Sequence, residues 1–370
     1  MLSLAKVNAY VIAKQHLLPG YKARGVVQAA RDAVGLHATD AMTPYISLWN
    51  RVCGFEKGML EAELYEARSL LRLRAMRGTL FLFTRGFAPV AFSATRYARR
   101  SPGEILRTWG VSRSEYERLR RAIEKMLAGG PMTSKEMHAA FPKKGLRDIQ
   151  RKAGKATYMN TNLFVAWRVM EESGLVTSGK PSGASRVFAE NLYETAPMKL
   201  TMSEEKAKTR LLEAYLAAYG PVVEDDIAWW ADYTKGEVRR LLAGMEIEYL
   251  EIESLDGEYM MLRDDCERLK KFDGKPKSLL FLPYEDPYAK AYRARSRLVD
   301  EEHDRSFYVG GSAQPCVLID GRVAGLWKWK QGKLQVEVFG KFAGREPVAC
   351  RKARKLERFL LALTTKKEKS

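Results

Sequence analysis

Three side chains with different chemistry fall within four residues of the stretch GLHATD (35–40): the imidazole of His37, the hydroxyl of Thr39 and the carboxylate of Asp40. An imidazole near its reference pKa of about 6.5 is largely neutral at cell pH, so His37 can hold a water molecule or accept its proton. Thr39 can exchange one hydrogen bond but cannot act as a base. Asp40 could oppose positive charge developing on a substrate, provided the backbone aims it inward. That set suits hydrolysis by a positioned water. It also suits a helix start, because Thr39 or Asp40 can cap a helix beginning near Ala41 for about 1 kcal/mol. Capping by Thr39 would leave Asp40 in a first turn favoured by the helix dipole. His37 has no capping role and is the stronger catalytic candidate. The other histidines, His16, His138 and His303, lie in unrelated segments without metal-ligand spacing. Neither a metal nor a cofactor is expected.

Something must hold these residues. The 370-residue chain should divide into two to four modules, each with its own core. It has no apolar run long enough to span a bilayer and no signal-peptide block at its start, which predicts an intracellular, cytoplasmic protein. Its four cysteines are too dispersed for a metal knuckle or a disulfide framework. Sixty-three Lys plus Arg against 45 Asp plus Glu give a formal charge of +18, which favours a polyanionic partner. Basic clusters recur at 96–100, 118–121, 143–155 and 293–297 rather than gathering in the tail TTKKEKS. A long duplex footprint needs such spacing. No phosphate-binding glycine loop occurs, since GKPSG (179–183) lacks the required register.

The periodicity repeats. Residues 112–128 form an amphipathic helix ended by Gly129-Gly130, Thr133 and Glu136 offer a capping box, a helix follows at 160–174, and a hairpin is expected over 175–190. The same order recurs after Ser203, with an Asp256-Gly257 turn in its hairpin. A less regular copy spans helices 4–18, 25–33, 42–52 and 57–70 and a hairpin over 72–85. Helix, short capped helix, longer helix and hairpin is the winged helix-turn-helix order, which implies nucleic-acid or protein contact but no chemistry. After about Lys277 the texture turns β-rich, with turns at Asp320-Gly321 and Gln331-Gly332 and a closing helix.

Five segments in register, GLHATDAMTPYISLWNRV (35–52), RAMRGTLFLFT (74–84), GPVVEDDIAWWADY (220–233), FLPYEDPYAKAYRARS (281–296) and VLIDGRVAGLWKWK (317–330), together resemble the winged-helix DNA glycosylases of the AlkZ and YcaQ type, which include interstrand-crosslink and alkylpurine glycosylases. The resemblance implies an α+β fold of three tandem winged-helix modules in a C-shaped scaffold (1–100, 101–195, 196–275) plus a C-terminal β-barrel-like region (276–370). It implies a monofunctional glycosylase that hydrolyses the N-glycosidic bond of N7-alkylated, bulky or crosslinked purines in duplex DNA, acting in base excision repair. Where such proteins carry Gln-x-Gln or Gln-x-Asp, this chain has His37 and Thr39, with Asp40 one residue beyond. The catalytic set is therefore His37, Thr39 and Asp40. Arg74 and Arg77 on the first hairpin, Lys143 and Lys144, and Arg293 and Arg295 are expected on DNA phosphates. Tyr45, Trp49, Trp229 and Trp230 are expected in the core, and Asp286 and Tyr288 either approach DNA or bridge barrel and scaffold.

A monomer associated with the nucleoid is expected, with double-stranded DNA carrying alkylated bases as its partner and no membrane contact. The alternatives are a catalytically silent DNA-binding relative and a transcription regulator; the chain shows no heptad or symmetric dimer element for the latter. Binding should lack strong sequence preference and weaken steeply with salt. With no aromatic-rich loop beside GLHATD, the site is expected to be shallow and open, with limited base flipping.

Overall fold

A computed structural model describes residues 1–96, 101–154, 156–181, 191–275 and 277–364. The end of the basic cluster 96–100, Lys155, much of the 175–190 hairpin and the tail beyond Thr364 lie outside the described residues.

The first hundred residues contain helices Leu4–Lys14, Val26–Asp32, Thr43–Arg51 and Lys57–Tyr65, then the hairpin Leu70–Arg74/Leu80–Thr84, close to the sequence expectation. One element differs. Leu36–His37 is a strand, not a loop: it pairs antiparallel with Leu80–Thr84, placing Leu36 opposite Leu82 and His37 opposite Phe81. Gly35, at φ +92°, makes this approach possible, because a Cβ there would come within 2.5 Å of the Phe83 ring. A two-residue strand is too short for alternation to reveal it.

In the second segment, helices Pro102–Thr108, Arg113–Ala128, Ser134–Ala140 and Asn162–Glu172 precede the strands Val176–Pro181 and Asn191–Thr195. Thr133 and Glu136 form the expected capping box. The basic stretch 143–155 folds in an unforeseen way, as part of a hairpin, Asp148–Ala153/Ala156–Thr161. The third segment has helices Glu204–Tyr219, Glu224–Ala231 and Lys235–Leu242, the hairpin Ile247–Leu250/Tyr259–Leu262, and the helix Arg263–Lys271.

The C-terminal strands Leu279–Leu282, Cys316–Ile319, Arg322–Lys330 and Lys333–Val338 form an antiparallel sheet in that order. Its first and last strands are edges among the described residues, so no barrel closes here. Four strands are too few to wrap around a packed interior. Instead the helix Glu346–Thr364 packs Ala349, Ala353, Leu356, Leu360 and Leu363 into a core shared with Leu279, Phe281, Val317 and Trp327. Leu36, Leu48 and Leu82 of the first segment join that same core.

The expectation of one core per module holds for the second segment alone, whose buried residues from Ile105 to Val176 form their own cluster. Elsewhere the cores cross segment boundaries. The helix Leu4–Lys14 is buried from Val7 to Ala13. Asn8 donates to the Arg297 carbonyl (3.1 Å), and the Tyr10 hydroxyl donates to the Asp265 carboxylate (2.5 Å). Lys14 pairs with Asp265 (2.5 Å), and Gln15 donates to the Ala218 carbonyl (3.2 Å).

Candidate active site

The sheet fixes His37 from three sides. Its backbone is paired to Phe81, the Phe81 ring meets the imidazole edge-on at a centroid distance of 5.2 Å, and Leu80 receives the Ala38 N–H at 2.7 Å. The imidazole is 4% exposed, and both ring nitrogens are buried with no hydrogen-bond partner. Burial, aided by the nearby Lys290 ammonium, pushes its pKa down to about 4. His37 is therefore neutral at cell pH and holds two unused nitrogens.

Beside it lies a carboxylate that sequence reasoning passed over. Glu285 Oε2 is 3.6 Å from His37 Nε2, and both side chains are buried. The Lys290 ammonium holds this carboxylate (2.8 Å to Oε2, 2.9 Å to Oε1), and the Ala313 N–H donates to Oε1 at 2.6 Å. Lys290 also donates to the Gly311 carbonyl at 2.5 Å and lies 5.5 Å and 5.1 Å from the Trp229 and Tyr308 ring centroids. Burial draws the Lys290 pKa below its ordinary value, opposed by Glu285. Glu285 itself has φ +54°, a left-handed conformation that costs a non-glycine residue about 1–3 kcal/mol and is concentrated at functional sites. The signal in the sequence was the acidic pair between two prolines in PYEDPY (283–288), of which only Asp286 drew notice.

Asp286 has a different task. It forms a fully buried bidentate pair with Arg51 (2.8 Å to each guanidinium nitrogen) and accepts from the Ser47 hydroxyl at 2.8 Å. The Tyr288 N–H also donates to it, and the Tyr288 hydroxyl donates to the Gly321 carbonyl. Of the two roles left open for Asp286 and Tyr288, bridging is the one built. The Thr43 hydroxyl adds a bond to the Tyr284 carbonyl at 2.8 Å. These contacts clamp the helix after GLHATD onto the loop carrying Glu285, and so set its position against His37.

Asp40 and Thr39 are exposed and engaged locally. Asp40 Oδ1 accepts from the Met42 and Thr43 N–H groups at 2.9 and 3.0 Å, which satisfies free donors at the start of helix Thr43–Arg51. The Thr39 hydroxyl accepts from the Leu80 N–H at 3.2 Å and extends the strand pairing. These hydrogen bonds run to the helix start and to the neighbouring strand, not to His37 or Glu285.

The expected DNA-facing residues separate into groups. Arg77 is exposed, stacks 5.1 Å from the Trp229 ring centroid and donates to the Trp229 carbonyl at 3.2 Å. Arg295 lies 4.1 Å from the Tyr308 ring centroid and is paired bidentately with Asp304. Arg77, Lys290 and Arg295 thus form a basic rim over Trp229 and Tyr308. Arg293 is exposed and lines a cleft of about 1020 Å³ with Glu224, Asp225 and Arg239. Arg74 is partly buried and donates to the Gly78 carbonyl, holding its own hairpin turn. Lys143 and Lys144 are exposed on a turn before the 148–161 hairpin. Tyr45 and Trp230 are core residues as expected, whereas Trp49 and Trp229 are only partly buried. Aromatic side chains reach the site from separate segments, Phe81 against His37 and Trp229 and Tyr308 beside Lys290, and the turn between Tyr308–Val309 and Ser312–Ala313 bonds Lys290 through Gly311 while Ala313 bonds Glu285.

Among the described residues, no group of His, Cys, Asp and Glu is arranged to hold a metal ion. Nor, among the described residues, is any helix long and apolar enough to cross a membrane. The family model described as DNA glycosylase AlkZ-like matches residues 30–363. The Streptomyces sahachiroi DNA glycosylase AlkZ has a similar fold, with a TM-score of 0.73, 20% sequence identity, and 98% of this chain and 97% of that one covered. No curated protein matches the chain.

Proposed function

The chain belongs to the AlkZ-like DNA glycosylase family, and from that premise we propose that it hydrolyses the N-glycosidic bond of N7-alkylated purines, bulky or crosslinked adducts included, with His37 and Glu285 as its working pair. The carrying observation is a neutral histidine with two unsatisfied buried nitrogens, 3.6 Å from a lysine-held carboxylate. An N7-alkylated purine is cationic, so breaking its bond to C1′ returns the electron pair to the ring and releases a neutral base. Little acid catalysis is needed. His37 holds the attacking water, Glu285 opposes the positive charge growing on C1′ and O4′, and the water's proton passes to this pair as oxygen bonds to C1′. Thr39 and Asp40 act by holding the strand end and the helix start rather than by touching the reacting atoms.

The finer architecture belongs to the same reading. Segments 1–100, 101–195 and 196–275 act as tandem winged-helix modules in a C-shaped scaffold, with 276–370 closing over the site, a division supported by their recurring helices and hairpins. Arg77, Arg293 and Arg295, with Lys143 and Lys144, meet phosphates, while Arg74 shapes the turn carrying Arg77. The protein acts as a cytoplasmic, nucleoid-associated monomer on duplex DNA. Because water is the nucleophile, the enzyme is monofunctional.

The test is release of 7-methylguanine from methylated duplex DNA by the purified protein. Wild type should release it, and Glu285→Gln should slow release by about 10²-fold or more. Borohydride should trap no covalent adduct. A trapped adduct lost in Lys290→Met would make Lys290 the nucleophile and the enzyme a lyase, and no release at all would leave a silent DNA-binding relative.

A further inference from the structure

The hairpin Asp148–Ala153/Ala156–Thr161 is a two-stranded ribbon with six paired positions. Its root is firm: Ile149 is buried in the second segment's core, Arg147 pairs bidentately with Glu115, and Asn162 donates to that same carboxylate. Beyond the root the side chains lose cover. Gln150, Lys152, Thr157, Tyr158 and Met159 are all exposed, with Tyr158 at 51% and Met159 at 61%. Gln150 faces Met159 and Lys152 faces Thr157 across the ladder, so these four share one side; Arg151 and Tyr158 form the other. Arg151 lies 5.5 Å and 5.9 Å from the ring centroids of Trp109 and Tyr158, which stiffens that side. An isolated two-stranded ribbon is marginal in water, and a methionine 61% exposed on its other side adds nothing to the core. Residues 143–159 carry six basic side chains against one acidic, Asp148.

We propose that this ribbon is a second DNA-contact element that lies in the major groove of the duplex, with Lys152 on phosphate and Gln150, Thr157 and Met159 towards base edges. Charge selects a polyanion, and dimensions select the groove: strands about 4.8 Å apart with side chains on both faces fit a groove about 12 Å wide but not one about 6 Å wide. The proposal rests on duplex DNA being the substrate, and it adds a grip outside the His37 site.

The test measures binding of an undamaged duplex by fluorescence anisotropy over a salt series. Thr157→Ala with Met159→Ala should weaken affinity about tenfold, and Lys152→Gln should lower the log–log salt slope by about one. Wild-type affinity and slope in both variants would overturn the ribbon assignment. As a readout independent of variant folding, unaltered protein irradiated on a duplex carrying 5-iodouracil, whose halogen projects into the major groove, should crosslink within 150–159. Crosslinks confined to other segments would overturn the assignment too. Failure of the glycosylase reading shows separately, as wild type that binds the duplex yet releases no base from methylated DNA.

Discussion

Both ring nitrogens of His37 are buried without a partner, and an unpaired buried polar group costs about 1–3 kcal/mol. A residue kept only for stability would not carry that cost. His37→Leu preserves apolar volume beside Phe81 while removing the nitrogens, so we expect base release to fall by about two orders of magnitude or more while the melting temperature holds or rises. The pH dependence has a definite sign. The folded pKa of about 4 lies below the unfolded value near 6.5, so between these the unfolded chain binds the proton first. The contribution to stability is fully present above pH 6.5 and is lost as pH falls towards 4, by about 3 kcal/mol. Denaturant melts across that window should show the slope in wild type and lose it in His37→Leu. Asp40, two residues before the N-cap Met42, offers the contrast: Asp40→Asn should leave stability and base release unchanged because the amide oxygen can accept the same Met42 and Thr43 N–H groups, whereas Asp40→Ala should cost about 1 kcal/mol in the same melts.

The helix Thr43–Arg51 works through its far side, where Arg51 and Ser47 grip Asp286. Removing one partner of a buried pair strands the other charge, so Asp286→Ala should destabilise by about 3–5 kcal/mol, whereas Arg51→Met with Asp286→Leu should recover most of that loss in urea titrations. The double variant also separates folding from positioning: stability returns, but base release should stay low because Glu285 has lost its clamp. Elements with local rules were legible in the sequence. The Thr133–Glu136 box and the turns at Asp320-Gly321 and Gln331-Gly332 are set by neighbours within a few residues. Leu36–His37 was not legible as a strand, since its ladder partner, Leu80–Thr84, lies more than forty residues further along the chain. Glu285 was not legible as part of the site, since what distinguishes it is His37, Lys290 and Ala313 arriving around it. The 148–161 ribbon shows in the sequence as charge alone, because its alternation is broken by polar residues on both faces.

At the scale of the whole molecule, the recurring segments suggested independent modules, but burial divides the chain otherwise. The second segment closes its own core, so a 101–195 fragment should fold alone and melt cooperatively by circular dichroism. A 1–100 fragment should not, since Leu36, Leu48 and Leu82 share a core with the C-terminal sheet and helix. The buried helix Leu4–Lys14 carries the consequence furthest. It is synthesised well before its partner: Asn8 bonds the carbonyl of Arg297, 289 residues later. At roughly 5–20 residues per second that is a wait of about 15–60 s during synthesis before this bond can form. Folding of this buried helix onto its distant partners is therefore bound to follow, not accompany, synthesis of the segment that carries them.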